Sequence, residues 1–454
     1  MKLKIFYLTA IIALVVFGES CTKQAFENAN QNPNAPAQVT PGTLLSTVEG
    51  SLAYTQGGDI SRFTGLYDQQ LFSSVQQAGA YYTYIVTDAD FDTQWGNMYT
   101  SVLQNNQALM ALSDSDKDNR YSGVSRIIMA YSLQLLVDNW GSVPYSTAIN
   151  ALNGGTTTPT YDNDRALYDT IASLINVGIA QLSDANAGPA TPGGEDVIYG
   201  GNAGRWIKLG HAIKARLYIH QSKGNPAMAA LALTEANAAF ASNADNAQYI
   251  FGSTETSANP VYQFDEQRGY IDYPSSTLAD TLDALTDPRY NIYLDSTYSD
   301  VNGDGIGDYY GNISGHTELI TYDEMLFVKA EAILRSTGDF ATAELTYDSA
   351  ITANMTKLGV AAGDIATYLV ANGTLPITSV DDAIAKVSFQ EYLALYLNPE
   401  AYTLWRRTGS PALTPTAGSN GIPRRFLYPN TEYTLNGANT PASTSYTPKV
   451  FWDN

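Results

Sequence analysis

The 454-residue sequence contains one cysteine, Cys21, and three histidines. A single cysteine cannot form an intrachain disulfide, and it also excludes a zinc site built from several thiolates. Basic residues are scarce too: 24 Lys and Arg stand against 45 Asp and Glu, which gives a net charge of −21. Phosphate backbones and anionic lipid headgroups repel such a chain, so we expect no nucleic-acid partner.

Charged residues of both signs make up only 15% of the chain, whereas there are 32 tyrosines and 36 glycines. Much of the surface must therefore be neutral, polar and aromatic, which suits a secreted protein that binds an uncharged ligand. The apolar share of 44% is large enough for a sizeable core and excludes a wholly disordered chain.

One long apolar run occurs, from Ile5 to Phe17, and it follows the basic residues Lys2 and Lys4. A run of about 13 residues is too short to span a bilayer of roughly 30 Å as a helix. Basic residues, an apolar run and then small residues are typical of a secretory signal, which we predict over residues 1–20.

Cys21 stands where the small residues end. The segment Gly18-Glu-Ser-Cys21 resembles the lipobox of bacterial lipoproteins, although Gly18 and Glu19 replace the usual Leu and Ala or Ser. We predict lipidation of Cys21, because the several acyl chains of a lipoprotein give stable membrane attachment; the alternative is a free cysteine at the start of the mature chain. The Asn- and Pro-rich residues 21–40 are then a tether for a single domain over 41–454.

The rest of the sequence predicts a mostly α-helical fold with long irregular loops and a few short strands. Apolar residues recur at helical spacing in eight segments, namely 94–113, 124–137, 165–182, 205–220, 226–241, 322–336, 340–358 and 380–397. Four long segments connect them: 138–164, 183–204, 245–320 and 409–454. Connections of this length are usually functional or have some structure of their own, so we expect them to form the ligand-binding face.

Residues 322–336 and 340–358 are joined by Thr337-Gly-Asp339, with alanines where the two helices must approach. This pair resembles a tetratricopeptide helical hairpin, and an ordinary helical hairpin is the alternative. Segments 124–137 with 165–182, and 205–220 with 226–241, are further candidate hairpins. Such hairpins stack, because a single one cannot bury its apolar face.

Six sets of short motifs occur in an order that resembles one family, the SusD/RagB family of outer-membrane nutrient-binding lipoproteins. They are Asn30-Gln-Asn-Pro-Asn-Ala-Pro36, Trp95-Gly-Asn-Met-Tyr99, Val137-Asp-Asn-Trp-Gly-Ser-Val-Pro-Tyr-Ser146, Asp196-Val-Ile-Tyr-Gly-Gly-Asn202 before Arg205-Trp206, Lys329-Ala-Glu-Ala332, and Trp405-Arg-Arg-Thr-Gly409 with Ile422-Pro-Arg-Arg425 and Tyr428-Pro429.

The resemblance implies a scaffold of tetratricopeptide-like helical hairpins in a lipoprotein anchored at the cell surface of the outer membrane. It implies a partner as well, a SusC-like TonB-dependent transporter that the protein covers as a lid. The ligand would be a glycan, or a peptide as in some members, delivered for import without cleavage.

Two other functions are compatible with the sequence: a surface glycosidase or peptidase, and a scaffold that binds only its transporter. A carboxylate pair for glycoside hydrolysis is defined by its separation in space, which a sequence does not show. His211 and His220 lie nine residues apart on one predicted helix and are not placed as a metal pair. We predict no catalytic residue, no enzymatic activity and no organic cofactor.

Two of the motifs have a structural interpretation. Trp140 is predicted in the core at the end of a buried helix, where Gly141 permits a left-handed turn. Arg406 and Arg407 are predicted to pair with buried carboxylates such as Glu331 or Glu391. The alternative is that one of these arginines holds an anionic ligand.

Sugar binding requires flat aromatic faces for the C–H surface of the rings, together with amides and carboxylates for the hydroxyl groups. Tyrosines close to amide or acid residues are therefore candidate ligand-binding residues, although most tyrosines in this chain must pack in the core. The candidates are Tyr81, Tyr82 and Tyr84 in a loop after Gln76-Gln77, Tyr270 and Tyr273 beside Asp272, and Tyr309 and Tyr310 with Asn312. Tyr82 and Tyr84 alternatively belong to a half-buried strand.

Residues 300–311 resemble the first part of an EF-hand calcium loop. Oxygen ligands are available from Asp300, Asn302, Asp304, the carbonyl of Ile306, and Asp308, and a glycine, Gly305, stands at the sixth position. Position 12 is Gly311, so the usual bidentate glutamate is missing. The pattern predicts a structural Ca²⁺ site, and an Asp/Asn/Gly turn cluster is the alternative.

Overall fold

Helices account for most of the residues that the computed structural model describes, which are 39–149, 156–295 and 305–453. The predicted signal peptide, Cys21 and nearly all of the tether lie outside the described residues, as do the predicted calcium ligands Asp300, Asn302 and Asp304. Residues from Pro41 onward form one compact unit. The predicted class, mostly α-helical, is confirmed.

The helices in chain order are α1 Pro41–Thr55, α2 Ser61–Tyr67, α3 Gln76–Tyr82, α4 Asp92–Asn97, α5 Gln104–Asp116, α6 Asn119–Trp140, α7 Asp164–Ser183, α8 Ala203–His220, α9 Pro226–Ala238, α10 Pro260–Gln267, α11 Thr277–Ala284, α12 Tyr290–Tyr293, α13 Asp308–Gly311, α14 Tyr322–Thr337, α15 Phe340–Lys357, α16 Ala362–Asn372, α17 Val380–Ala394, α18 Glu400–Thr408 and α19 Asn430–Leu435. The strands are β1 Ala247–Ile250 and β2 His316–Ile320, and two π-helical turns occupy Gln56–Ile60 and Met98–Leu103.

The central helices form a stack in which each packs on the next. Helix α5 contacts α6, α6 contacts α7, α7 contacts α8, and α8 contacts α9, which then contacts α14 and through it α15. The three predicted hairpins, α6 with α7, α8 with α9, and α14 with α15, are therefore present. All eight predicted helical segments are helical over most of their length. Among the described residues, no helix combines the length and apolar character needed to cross a bilayer.

The hairpin of α14 and α15 shows how the sequence directs this packing. Gly338 ends α14 in the left-handed conformation, with φ of 67°. Asp339 then begins α15 by accepting a hydrogen bond of 3.1 Å from the backbone N–H of Thr342. Ala330 and Ala343 are fully buried between the two helices. Small side chains thus permit the close approach that the sequence predicted.

Trp140 ends helix α6 and is completely buried, so its predicted core role is confirmed. Its indole nitrogen donates a hydrogen bond of 2.8 Å to the carbonyl of Leu427. Gly141 follows with φ of 79°, a positive value that only glycine adopts at low cost. The motif at 137–146 therefore ends a helix and ties it to the C-terminal segment.

The two arginines of the Trp405-Arg-Arg motif have different partners. Arg407 forms a buried ion pair with Glu331, as predicted. For Arg406 the prediction is wrong: its guanidinium donates to the carbonyl of Arg424 at 3.0 Å and lies 4.1 Å from the ring centroid of Tyr402. Both side chains are buried, which removes the alternative that they hold a ligand at the surface.

The Asp196-Val-Ile-Tyr-Gly-Gly motif forms a turn around one carboxylate. Asp196 accepts hydrogen bonds of 2.8 Å from the backbone N–H groups of Tyr199 and Gly201, and one of 2.7 Å from the indole of Trp206. A Cβ atom on Gly201 would lie 2.1 Å from the carbonyl oxygen of Pro192, so no other residue fits there. This motif is structural.

The described residues of segment 245–320 contain more regular structure than the predicted long irregular loop. Strands β1 and β2 pair antiparallel, with Gln248 opposite Glu318, and the short helices α10 to α13 lie between the strands. Outside this segment, five further regions were not predicted as helical: α1 with α2 at the N-terminal end of the domain, α3, α16, α18 and α19. The N-terminal pair matters most, because it forms one wall of the cleft described next.

Candidate ligand-binding cleft

The local backbone at residues 55–62 departs from a regular helix. Helix α1 continues into the π-helical turn Gln56–Ile60, where Gly58 has φ of −90° and ψ of −107°, and α2 begins directly afterwards. Inserted turns of this type bend a helix, and they are frequent at functional sites. Here the bend places Asp59 and Arg62 side by side as an ion pair that faces a cavity.

This cavity, which we call the first compartment, has a volume of about 410 Å³. Three parts of the chain form its walls: α1 with α2, residues 77–97, and helix α10. Its lining residues are Tyr54, Thr55, Gly58, Asp59, Arg62, Phe63, Gln77, Tyr81, Ala89, Asp90, Thr93, Gln94, Asn97, Pro260, Gln263, Phe264, Gln267 and Arg268. The volume is within the range of small-ligand sites.

Aromatic and basic residues are close together in the compartment. The guanidinium of Arg62 lies 3.9 Å from the ring centroid of Phe264 on the opposite wall. Tyr54 is 45% exposed and presents its ring at the edge of the compartment. Its hydroxyl donates a hydrogen bond of 2.8 Å to Oε1 of Gln263. A partly exposed aromatic side chain thus stands among polar groups.

Asp90 is the best-supported carboxylate of the compartment. It accepts hydrogen bonds from the hydroxyl of Tyr81 at 2.7 Å, from the backbone N–H of Thr87 at 2.7 Å, and from the amide of Gln77 at 3.3 Å. Burial raises the pKa of Asp90, but these hydrogen bonds outweigh burial and the net pKa is lowered. Asp90 is therefore an ionised hydrogen-bond acceptor at neutral pH.

Five amide side chains also line the first compartment: Gln77, Gln94, Asn97, Gln263 and Gln267. An amide offers one acceptor and two donor hydrogens, which complements a hydroxyl group that both donates and accepts. Rings for C–H surfaces together with amides and carboxylates for hydroxyls can bind a polyhydroxylated ligand.

A second compartment of about 420 Å³ shares Tyr54, Thr55 and Asn97 with the first. Tyr249 and Phe251 line it, with ring centroids 5.0 Å apart in an edge-to-face arrangement. Because the compartments share three lining residues, they adjoin, and we refer to both together as the cleft.

Of the first predicted tyrosine group, only Tyr81 reaches the cleft. Tyr81 is largely buried against Phe63, at a centroid distance of 4.3 Å, and lines the first compartment with its remaining surface. Tyr82 is half-buried against Phe72, and Tyr84 is buried with its hydroxyl accepting from Gln69 at 3.3 Å. Tyr81 and Tyr82 lie on helix α3 rather than in the predicted loop or the alternative strand.

Tyr270 and Tyr273 support the cleft from behind. Tyr270 packs edge-to-face on Phe264, with ring centroids 6.3 Å apart. Tyr273 is buried and donates from its hydroxyl to Asp265 at 3.0 Å. Neither tyrosine lines the first or the second compartment. Direct contact of these residues with a ligand stays a prediction, and the burial of Tyr273 does not favour it.

The third predicted group lies apart from both compartments. The hydroxyls of Tyr309 and Tyr310 point at the buried Glu318, at 3.4 and 3.2 Å. Asn312 is exposed, and its side-chain oxygen accepts from the backbone N–H of Ser314 at 2.9 Å. The structure thus gives these residues local structural partners.

Of the predicted calcium ligands, only Ile306 and Asp308 fall within the described residues. Ile306 pairs with Leu294 in an isolated antiparallel bridge, and Asp308 is exposed at the start of α13. The calcium site stays a prediction.

A buried group of possible metal ligands exists elsewhere among the described residues, formed by Asp138, His220 and Glu400. Nε2 of His220 lies 2.8 Å from Glu400, and Nδ1 lies 2.8 Å from the hydroxyl of Tyr168. Both ring nitrogens therefore already have hydrogen-bond partners. Burial lowers the pKa of His220, but the charges of Glu400 and Asp138 outweigh it and raise the pKa to about 9. We interpret the group as a buried ion-pair network.

Sequence reasoning missed most of the cleft, including Tyr54, Asp59, Arg62, Gln94, Gln263, Phe264, Gln267 and Arg268. Two signals pointed there. The Gly57-Gly58 pair interrupts an apolar helical pattern, and the Trp95-Gly-Asn-Met motif contains Asn97, which lines both compartments.

Comparison with known proteins supplies the family. The SusD-like family model described as starch-binding and associating with the outer membrane matches residues 33–318 and 316–429. No curated protein sequence matches the chain significantly.

Solved structures match over nearly the whole chain. A SusD/RagB family protein from Bacteroides thetaiotaomicron is 22% identical, with a TM-score of 0.76, over 92% of this chain and 99% of that one. A chitin-binding protein is 23% identical, with a TM-score of 0.75, over 91% and 100%. A chitin-binding SusD homologue from Flavobacterium johnsoniae is 19% identical, with a TM-score of 0.72, over 90% and 98%.

At these identities the structural matches establish a shared fold, and the family match adds the outer-membrane association and the carbohydrate-binding character of the group. This chain therefore belongs to the SusD-like family.

Proposed function

We propose that the protein is a cell-surface lipoprotein that binds neutral glycans in the cleft and delivers them to a SusC-like TonB-dependent transporter. The observation that carries the glycan proposal is the lining of the first compartment, which combines five amides and the hydrogen-bonded Asp90 with aromatic residues such as the exposed Tyr54. The starch-binding description of the family and the two chitin-binding relatives support linear glycans of glucose or N-acetylglucosamine as ligands. Peptides are the alternative ligand class.

Anchoring and partnership belong to the same proposal. The predicted acylation of Cys21 would attach the domain to the outer membrane through the tether of residues 21–40. The family's association with the outer membrane supports this location. Isolating membranes from cells that produce the full-length protein tests the anchor and the partner together. We expect the wild-type protein to co-purify with a transporter from these membranes and Cys21→Ala to be lost from them.

The carboxylates of the cleft support binding without cleavage. Glycoside hydrolysis needs a carboxylic acid whose pKa is raised enough to donate a proton. The pKa of Asp90 is lowered instead, and Asp59 is engaged in its ion pair with Arg62. This pair of acids is suited to accepting hydrogen bonds.

Calorimetric titration of residues 22–454 with maltohexaose, chitohexaose and a mixed tryptic peptide pool tests the ligand class. We expect one of the two glycans to bind and to be recovered uncleaved. Asn97→Ala should weaken binding by about 2- to 10-fold, the loss of one ordinary hydrogen bond. Asn312 was also predicted as a ligand-binding residue but lies outside the cleft, so Asn312→Ala should leave the affinity unchanged. Binding of peptides alone, or an effect of Asn312→Ala without one of Asn97→Ala, would contradict the proposal.

We further propose that residues 300–308 bind Ca²⁺ as a structural ion. The described residue Gly305 supports the proposal, because its carbonyl accepts a hydrogen bond of 2.8 Å from the backbone N–H of Asp295, so the chain returns to Asp295 at this point. Asp304→Ala should lower both the calcium content of the protein and the Tm gained on adding calcium. Equal metal content in both proteins would show that the loop is only a turn cluster.

A further inference from the structure

The hydrogen bond between Tyr54 and Gln263 lies at the boundary between the two compartments. Tyr54 lines both compartments, whereas Gln263 lines only the first. Tyr54 belongs to α1 and Gln263 to α10, so this bond of 2.8 Å connects the two walls of the cleft. A chain that runs from one compartment into the other passes Tyr54, which lines both and is held by Gln263.

Gln263 is held in place for this contact. Its Nε2 donates a hydrogen bond of 2.7 Å to the carbonyl of Glu255, which directs Oε1 toward the hydroxyl of Tyr54. Tyr54 as a residue nevertheless stays 45% exposed. It thus makes the hydrogen bond between the walls and still presents surface to a ligand.

The two compartments differ in charge. Asp59, Arg62, Asp90 and Arg268 line the first, whereas every described residue that lines the second is uncharged. The second compartment has Tyr249 and Phe251 as its aromatic surface. Gly50 of α1 permits the close position of Tyr249, because a Cβ atom there would lie 3.2 Å from the tyrosine hydroxyl. The second compartment therefore suits an uncharged segment that stacks on rings.

Each compartment alone is large enough for a small ligand. Their volumes, about 410 and 420 Å³, are nearly equal, and they adjoin at Tyr54, Thr55 and Asn97. We infer that the cleft selects long, linear, neutral oligosaccharides that occupy both compartments, and that the Tyr54–Gln263 hydrogen bond is a latch that opens when such a chain binds. This inference rests on the proposed glycan function and adds a chain-length requirement to it.

The latch has a thermodynamic consequence. A disaccharide fills one compartment and leaves the hydrogen bond intact, whereas a hexasaccharide must break it and recovers the loss through stacking on Tyr54 and Tyr249. Removing the hydroxyl of Tyr54 while keeping its ring should therefore favour long chains. Removing the ring of Tyr249 should disfavour them. The informative quantity is the ratio of the hexasaccharide affinity to the disaccharide affinity.

The experiment measures this ratio by calorimetry with chitobiose and chitohexaose, and with maltose and maltohexaose, on residues 22–454. In Tyr54→Phe we expect the ratio to rise by about 2- to 10-fold, the equivalent of one ordinary hydrogen bond. In Tyr249→Ala it should fall by about 3- to 10-fold, the equivalent of one aromatic contact. Tyr262→Phe removes a hydroxyl from the same helix as Gln263, outside both compartments, and should keep the wild-type ratio.

A second variant checks that the hydrogen bond itself is responsible. Because Tyr54→Phe and Gln263→Met remove the same bond, the double variant should raise the ratio no further than Tyr54→Phe alone. If hexasaccharides bind but the ratio stays within about twofold of wild type in both Tyr54→Phe and Tyr249→Ala, the latch and the length selection are overturned while the glycan function stands. If no oligosaccharide of either length binds, the proposed function itself fails.

Discussion

Tyr81 donates a hydrogen bond of 2.7 Å from its hydroxyl to Oδ1 of Asp90, and its ring packs on Phe63 in the core. One side chain thus links the packed interior to the carboxylate on the cleft wall. The sequence predicts that the ring of Tyr81 contacts the ligand directly. In the structure its main contribution is to hold Asp90 ionised and correctly oriented.

Tyr81→Phe should lower the free energy of unfolding by about 1 kcal/mol, the net value of an ordinary hydrogen bond. The same substitution should weaken glycan binding, because Asp90 loses one of its donors. Urea denaturation and calorimetry measure the two effects. Tyr262→Phe, which removes a hydroxyl outside the cleft, should change neither the free energy of unfolding nor the glycan affinity. Equal effects of Tyr81→Phe and Tyr262→Phe would contradict the role of Tyr81 in holding Asp90.

Glu49 provides a prediction about pH. Burial and the neighbouring charge of Asp196 raise the pKa of Glu49 well above its usual value. In the unfolded chain Glu49 loses its proton at about pH 4.3, whereas the folded state retains it. The free energy of unfolding therefore falls as pH rises above that value, by up to about 1.4 kcal/mol per pH unit from this group.

Glu49→Gln keeps the shape of the side chain and removes this titration. The stability of the variant relative to wild type should increase between pH 4.5 and 7, as measured by urea denaturation at several pH values. A constant difference across that range would show that Glu49 is ionised in the folded protein.

His220 provides the complementary prediction. Its pKa is raised to about 9 by Glu400 and Asp138 despite burial. The protonated His220 therefore stabilises the folded state. This contribution to the free energy of unfolding is complete below about pH 6.5, the pKa of an unperturbed histidine, and is lost as pH rises through 9. We expect wild type to lose on the order of 3 kcal/mol relative to His220→Gln over this interval. Parallel stability curves for the two proteins would contradict the ion-pair interpretation.

Glu331 tests the buried ion pair of the Trp405-Arg-Arg motif. Burial raises the pKa of Glu331, but the charges of Arg407 and Arg335 outweigh it and lower the pKa to about 2. Glu331→Gln leaves Arg407 buried without its partner and should cost about 3–5 kcal/mol of unfolding free energy. The pair of Asp114 and Arg126 is a matched control, because Asp114 is 40% exposed. Asp114→Asn should cost about 1 kcal/mol or less.

The scaffold was predictable where local signals agreed. In α14 and α15 the helical period, the small residues at the contact and the stop at Gly338 all indicated the same hairpin, and the hairpin is present. Helix α1 was missed although Leu45, Val48 and Leu52 recur at helical spacing and are buried. Its surrounding Gly, Ser and Thr residues obscured that pattern.

The cleft was much less predictable, for a physical reason. Its walls come from residues 54–63, 77–97 and 260–268, which tertiary packing brings together from positions about 200 residues apart. Composition indicated that some tyrosines bind ligand, but it does not distinguish a buried ring such as Tyr310 from an exposed one such as Tyr54. Only the packing of α10 against the π-helical turn at Gln56–Ile60 identifies the site.

A crystal structure of residues 22–454 with bound chitohexaose or maltohexaose tests the central claim most directly. We predict electron density for sugar in the cleft, with hydroxyl groups within hydrogen-bond distance of Asn97 or Gln267 and a ring against Tyr54 or Phe264. Sugar bound at Tyr309, Tyr310 and Asn312 instead, with no density in the cleft, would contradict the account.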